Sequence, residues 1–353
     1  AQAMVELHGG IRVGEHGHLR ALPIPGIKTA SALVPLACGL HLSGRRRRER
    51  FVVASNLPAY DVIGTWVEQY LGAQRVVWPL LASQGMRLDV GLLKEALRQR
   101  DVSRADLVFV IRPGNPAAVG ASPDDWRALI EHCLESGTRL VNDAAYAALA
   151  QGAHTPLAAV AKDYPELEWL ELYSVSKSFS DPGARLGALV GSKDFVEDYV
   201  TIKGNADSGP VPGVMAAYGE FLKDPAAAQR ELSGLRGLYQ RRLDYVVPKL
   251  KAAGLRPACP TEAGFFTLWQ VPRRVRGVDL ASDARTSGLP GHEAFNRLVI
   301  SELGLVGVHF PGAAEGGCER PLVRYAVCAD VLDAGFQRRF ESALERLRPE
   351  YDC

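Results

Sequence analysis

Between about residues 50 and 190 the chain repeats one pattern, a short aliphatic run followed by an amphipathic stretch. The runs are Phe51–Ser55, Arg75–Trp78, Leu107–Ile111, Arg139–Asn142, Trp169–Tyr173 and Leu186–Val190. Most are apolar at consecutive rather than alternate positions, as strands covered on both faces must be. Helical patterns lie between them. Asp61–Leu71 stops at Gly72, and Asp124–Ser136 stops at Gly137. Glycine just past the last turn tolerates the left-handed backbone that closes a helix. The second helix opens with Ser122-Pro123, a capping serine followed by proline at the first helical position. Strand–helix–strand alternation of this kind predicts an α/β domain built on a mostly parallel sheet flanked by helices.

After about residue 195 the texture changes. Gly204–Pro210 reads as a loop, followed by a long helical stretch broken near Asp224-Pro225 and running through Leu250. Gly264–Trp269 and Leu322–Cys328 are candidate strands, and Ala334–Arg348 is a closing helix. The pattern predicts a smaller α+β domain. The length of 353 residues suits two domains.

Charge and composition exclude several partners. Lys plus Arg is 41 and Asp plus Glu is 40, so no global basic field argues for nucleic acid or an anionic membrane. The run Arg45–Arg48 sits between two predicted elements and reads as a solvated loop. The longest apolar stretches, such as Leu33–Leu40, fall far short of the ~20 residues a spanning helix needs. Residues 1–13 contain no apolar block of signal-peptide length. The six cysteines form neither a disulfide framework nor a C-x-x-C metal pattern. A cytoplasmic protein without a metal site is the expectation.

The chemistry concentrates in Ser174-Val175-Ser176-Lys177 and the following Gly183-Ala184-Arg185-Leu186-Gly187. An unpaired ammonium at the end of a buried strand is costly, and a lysine held there can act as an amine nucleophile toward a carbonyl. The hydroxyls of Ser174 and Ser176 and the fork of Arg185 are suitable donors to one phosphate. A Schiff-base lysine beside a phosphate anchor is what pyridoxal 5′-phosphate (PLP) needs. A Ser/Gly-rich surface turn with a solvated lysine is the ordinary alternative.

Two further segments bear on the choice. Asp143 and Tyr146 follow the strand Arg139–Asn142, where the aspartate could pair with a pyridinium nitrogen. Taken alone, that pair is explained better as a capping aspartate and a core tyrosine. Asn115 lies in Arg112-Pro113-Gly114-Asn115-Pro116 after the strand Leu107–Ile111, a segment that is also a ready turn. The order decides the matter: all three segments sit at the C-terminal ends of predicted parallel strands, where open α/β sheets bind ligands.

The set Asn115-Pro116, Asp143-x-x-Tyr146, Ser174-x-Ser176-Lys177 and Gly183-x-Arg185-x-Gly187 resembles the fold-type I PLP enzymes of the aminotransferase class I/II family over roughly residues 25–330. The resemblance implies a large PLP-binding domain, 22–225, a smaller domain from 1–21 and 226–353, and a homodimer. It implies that Lys177 binds the cofactor as an imine and shuttles a proton, that Asp143 pairs with the ring nitrogen, and that Tyr146 and Asn115 hold the ring oxygen. Ser174, Ser176 and Arg185 would hold the phosphate together with Gly26, Ile27 and Lys28, a glycine-led turn opening a helix. Tyr60 would stack on the ring, and Arg324 in Leu322–Ala326 would clamp the substrate carboxylate. Lys203-Gly204-Asn205 resembles the LL-diaminopimelate aminotransferase branch, in which Asn205 would reach the substrate. The family carries a longer segment before this turn, with a tyrosine directed at the neighbouring subunit's phosphate. Here the turn comes at residue 26 and the first tyrosine is Tyr60, so both are expected to be absent or replaced.

The expected function is ping-pong transfer of an amino group between an L-amino acid and a 2-oxo acid, in amino-acid or secondary-metabolite biosynthesis. A lyase or cyclase on the same cofactor, similar to aminocyclopropane-carboxylate synthase, is the alternative. A sensor domain of a transcription regulator needs a winged helix ahead of it, for which residues 1–25 are too short.

Overall fold

Strand β4 (Leu107–Ile111) is buried along its whole length and lies inside a seven-stranded sheet. The other members are β1 (Leu19–Ile24), β2 (Val52–Leu57), β3 (Gln74–Pro79), β5 (Arg139–Asp143), β6 (Trp169–Ser174) and β7 (Gly187–Ser192), in the order β1-β7-β6-β5-β4-β2-β3. The computed structural model describes residues 1–40, 51–60, 62–152, 154–318 and 320–351. The Arg45–Arg48 run and Asp61 lie outside the described residues.

Strands β3, β2, β4, β5 and β6 are parallel, and β7 and β1 join antiparallel. The sheet is covered on both faces, and β4 shows it directly. Val108 and Val110 belong to one apolar cluster, while Leu107, Phe109 and Ile111 belong to another. The period of two in side-chain direction puts neighbours on opposite faces. The helix Pro123–Ser136 has the expected start and stop: Ser122 and Asp125 form a reciprocal capping box, and Gly137 has φ 62°.

The N-terminal segment differs from the expected assignment of 1–21 to the smaller domain. Helix Gln2–Gly9 buries Met4 and Val5, and with Ile11, Val13 and Leu19 they join the large-sheet core. Strand β1 then pairs along β7 from Leu19–Ser192 to Ile24–Gly187.

A second core forms after residue 225. Three antiparallel strands, β8 (Phe266–Gln270), β11 (Val308–Phe310) and β12 (Leu322–Ala326), lie in the order β11-β12-β8. A smaller sheet of β9 (Arg274–Val275), β10 (Val278–Asp279) and β13 (Pro349–Glu350) lies alongside. Helices Pro225–Ala252, Gly291–Leu303 and Ala334–Glu345 supply the rest of that core. Alternation along β12 aims its residues: Val323 and Tyr325 enter the second core, whereas Leu322 packs with the large-sheet core. Arg324 shares the Leu322 face and is thereby turned toward the large domain.

One polar network fixes the strand ends beneath the site. Glu171, fully buried in β6, accepts from Asn142 Nδ2 in β5 at 2.8 Å, from Tyr173 Oη at 2.7 Å and from the N–H groups of Leu157 and Ala158 at 3.0 and 2.7 Å. Asn142 also accepts from Arg112 N at 2.8 Å, just past β4. Burial pushes the Glu171 carboxyl above its ordinary range, against the donors that favour its anion.

Candidate functional site

At the C-terminal ends of β4, β5 and β6 a cavity of about 410 Å³ separates the large sheet from β11 and β12, a size that suits a small-molecule site. Ile27, Lys28, Tyr60, Asn115, Asp143, Tyr146, Ser174, Ser176, Lys177, Arg185 and Arg324 all line it. Residues spread from 27 to 324 thus converge on one space.

Lys177 stands on the short helix Val175–Ser178 that follows β6 directly. Ser174 starts that helix, its Oγ accepting from Ser176 N–H at 3.1 Å, so β6 ends where the lysine begins. Ser178 closes the turn onto Ser174 O at 2.8 Å. The Lys177 ammonium lies 5.7 Å from the centre of the Phe265 ring, within reach of a cation–π attraction. Its charge also reaches Asp143, which ends β5.

Burial pushes the Asp143 carboxyl up to about 6, and the Ala145 N–H and the Lys177 charge pull part of that back. A carboxylate so desolvated gains from any cationic N–H placed against it. Beside it, Tyr146 is 6% exposed and packs edge-on against Phe266, ring centres 5.1 Å apart. Burial raises the Tyr146 phenol above its ordinary value, so the hydroxyl stays a donor at neutral pH. Asn115 Nδ2 donates to Tyr146 Oη at 3.3 Å, and Asn115 Oδ1 accepts from Arg324 Nη1 at 2.5 Å.

Arg324 crosses from the small sheet into the cavity. Its guanidinium lies 4.9 Å from the Phe266 ring centre and 5.6 Å from that of Phe310. Its Nε is buried with no hydrogen-bond partner among the described residues, and burial lowers its pKa. A planar cation held between aromatic rings with an unused donor is matched to a carboxylate.

Another part of the cavity is lined by hydrogen-bond donors. Gly26 caps helix Ile27–Pro35 with φ 88°, a backbone region that glycine enters without strain. The first N–H groups of a helix have no intrahelical acceptor and carry its positive end. Arg185 lies against them: a Cβ on Gly26 would sit 2.6 Å from its Nη2. Among the described residues its own donors reach only backbone carbonyls, Pro182 O at 3.1 Å and Pro25 O at 3.5 Å. Ser31, one turn along the helix and 2% exposed, also lines the cavity.

Two expected residues fit less closely. Tyr60 lines the cavity but is 47% exposed, held there by its N–H on Asn115 O at 2.7 Å. Asn205 is not brought to the cavity. It ends helix Lys193–Gly204, is exposed, and its Nδ2 turns back to Thr201 O at 3.0 Å. Sequence reasoning missed Ser31, Phe265, Val308 and Phe310. The pair Phe265-Phe266 opening a strand is the one signal that was available, since aromatics at a strand end can floor a pocket as well as a core.

The family profile described as aminotransferase class I and II matches residues 52–305. An LL-diaminopimelate aminotransferase of Syntrophobacter fumaroxidans is 27% identical over 82% of this chain and 67% of its own length. The protein of that name from Methanocaldococcus jannaschii is 28% identical over 65% of this chain and 52% of its own. The chain thus spans about half to two thirds of these curated relatives. An aromatic aminotransferase from Pyrococcus horikoshii superimposes with a TM-score of 0.76 at 19% identity, covering 98% of this chain and 83% of that one. The N-succinyldiaminopimelate aminotransferase of Mycobacterium tuberculosis superimposes at 0.74 and 21%, covering 97% and 82%. With most of its length inside the matched region and the same fold as these enzymes, the chain belongs to the aminotransferase class I and II family.

Proposed function

We propose that the protein is a PLP-dependent aminotransferase that moves an amino group between an L-amino acid and a 2-oxo acid in two alternating half-reactions. The observation that carries this reading is the convergence of Lys177, Asp143 and Arg324 on one cavity from the ends of β6, β5 and β12.

The donor set fits the cofactor. Arg185 and the start of helix Ile27–Pro35 offer donors for a phosphate, and Gly26 leaves room for the Arg185 fork beside that helix start. Asp143 offers a desolvated carboxylate to a ring N–H. When bound, PLP supplies an aldehyde carbon and a ring that withdraws electrons from it. Lys177 is the amine placed to reach that aldehyde and the base placed to move a proton at a substrate's α-carbon. Asn115 Nδ2 donates to Tyr146 Oη, which leaves the Tyr146 O–H as a donor for the ring oxygen of the cofactor. Arg324 fixes the carboxylate that both substrates share, which is why one pocket can serve both half-reactions. Phe265, Phe266 and Phe310 exclude water on that side.

The named relatives support transamination over the cyclising alternative and point to the diaminopimelate class of substrate within amino-acid biosynthesis. A homodimer suits the exposed Tyr60 at the cavity mouth and the helix Pro212–Phe221, which has no buried residue. The thiols of Cys38, Cys133, Cys259, Cys318 and Cys328 are free, which favours a reducing cytoplasm. Among the described residues no helix is long and apolar enough to cross a membrane.

The test is the absorption spectrum of the purified full chain with PLP. The reading expects a visible band that bleaches with one amino acid and returns with one 2-oxo acid. A protein that takes up no PLP, or that bleaches without passing the amine on, overturns it.

A further inference from the structure

Three side chains of the second domain meet without any part in the reaction above. His292 and Glu293 occupy the first turn of helix Gly291–Leu303, and His309 lies in the middle of β11. One donor atom from each lies within 4.8 Å of the others. His309 Nε2 is 3.9 Å from Glu293 Oε1, and the two imidazole rings are 5.3 Å apart, tilted by 38°. We infer that His292, Glu293 and His309 form a binding site for a divalent transition-metal ion of the zinc class, with three protein ligands and an open fourth position.

The donor chemistry selects the metal. Two imidazoles and one carboxylate suit Zn²⁺, Co²⁺ or Ni²⁺, whereas Ca²⁺ and Mg²⁺ take six or more oxygens. The spacing is also close. A tetrahedral ion with bonds of about 2.0–2.2 Å holds its donors roughly 3.3–3.6 Å apart. The Glu293–His309 contact at 3.9 Å is near that, and the set as a whole, within 4.8 Å, must close by up to roughly 1.5 Å.

A neighbouring residue anchors the far nitrogen of one ligand. Asn296, 9% exposed, lies one turn further along the same helix with its Nδ2 3.3 Å from His309 Nδ1. Its Oδ1 is buried without a partner among the described residues. A half-turn of the amide places that oxygen on Nδ1–H, and His309 then presents the lone pair of Nε2 toward Glu293. Metal-bound imidazoles are commonly anchored through the second nitrogen in this way.

The site would act on the cavity through β11. An ion there ties the start of helix Gly291–Leu303 to a strand whose Val308 and Phe310 line the cavity, Phe310 lying against Arg324.

The full chain, stripped of metal, is titrated with Zn²⁺ and Mg²⁺ by calorimetry and loaded with Co²⁺ for its visible spectrum. One equivalent of Zn²⁺ is expected, with Mg²⁺ bound at least about 10²-fold more weakly, and Co²⁺ is expected to give the strong absorption of a tetrahedral centre. His309→Ala and Glu293→Gln should each weaken Zn²⁺ binding at least about 10-fold and lose the Zn²⁺-dependent rise in Tm. Should His309→Ala fail to fold, His292→Gln supplies the same comparison. Unchanged stoichiometry and affinity in the folded variants, or no Zn²⁺ binding by the parent chain, overturns the site.

Discussion

Arg324 in β12 donates from Nη1 to Oδ1 of Asn115, a residue 209 positions earlier at the end of β4. The bond joins the two domains at the cavity and aligns the guanidinium with the Asn115–Tyr146 pair. Arg324→Lys keeps the charge but loses the planar fork. It should lower kcat/KM for amino donor and oxo acceptor alike by about 10²- to 10³-fold, with cofactor affinity unchanged. Steady-state kinetics with both substrates checks this. An effect on one substrate only argues against a shared carboxylate clamp.

Lys177→Ala removes the amine while leaving β6 and its capping serine in place. Activity should fall at least about 10³-fold. The visible PLP band should vanish, and the thermal midpoint of the cofactor-free protein should hold. A variant that keeps the band assigns the reactive amine elsewhere.

Asp143 carries a pH signature. Its carboxyl is raised to about 6 by burial, so ionising it costs more in the folded than in the unfolded chain. The cofactor-free protein should therefore lose stability as pH climbs from about 4 to 6 and level off above, by at most about 3 kcal/mol. Asp143→Asn should flatten that slope and lower kcat at least about 10²-fold. Denaturant melts across this pH range, with and without PLP, give the readout.

Gly26→Ala places a Cβ against Arg185 and forces a non-glycine residue to φ 88°. The strain costs about 1 kcal/mol or more. PLP binding should weaken by 10-fold or more, with pyridoxal, which lacks the phosphate, affected far less. Equal loss for both ligands places the phosphate elsewhere.

Glu171→Ala strands Asn142, Tyr173 and two backbone N–H groups in a dry interior. A loss of about 3–5 kcal/mol is expected, read as a lower denaturant midpoint. Glu171→Gln, which keeps one acceptor, should lose less.

The sequence showed the parallel strands well because burial on both faces writes consecutive aliphatics, as in Leu107–Ile111. It also showed the helix stop at Gly137, where a left-handed glycine leaves its mark. It hid β1, whose Arg20 and Pro23 look unlike a strand. At the sheet's edge a proline need not donate and an arginine can stay wet. The residues on strand ends, Asp143 and Lys177, were legible because polar groups there break an apolar run. Phe265 and Phe310 were not, since an aromatic in a strand reads alike whether it floors a cavity or fills a core. Asn205 went astray because the local pattern around it resembled a site, while its helix carries it to the surface.

All seven strands of the large sheet come from residues 19–192, whereas the wall that carries Arg324 is drawn from 266 onward. On the proposed function, the grip on a cofactor and the choice of acid fall in separate, contiguous blocks of the chain. Exchange or insertion in the later block can retune which molecule is accepted and leave the reacting amine undisturbed.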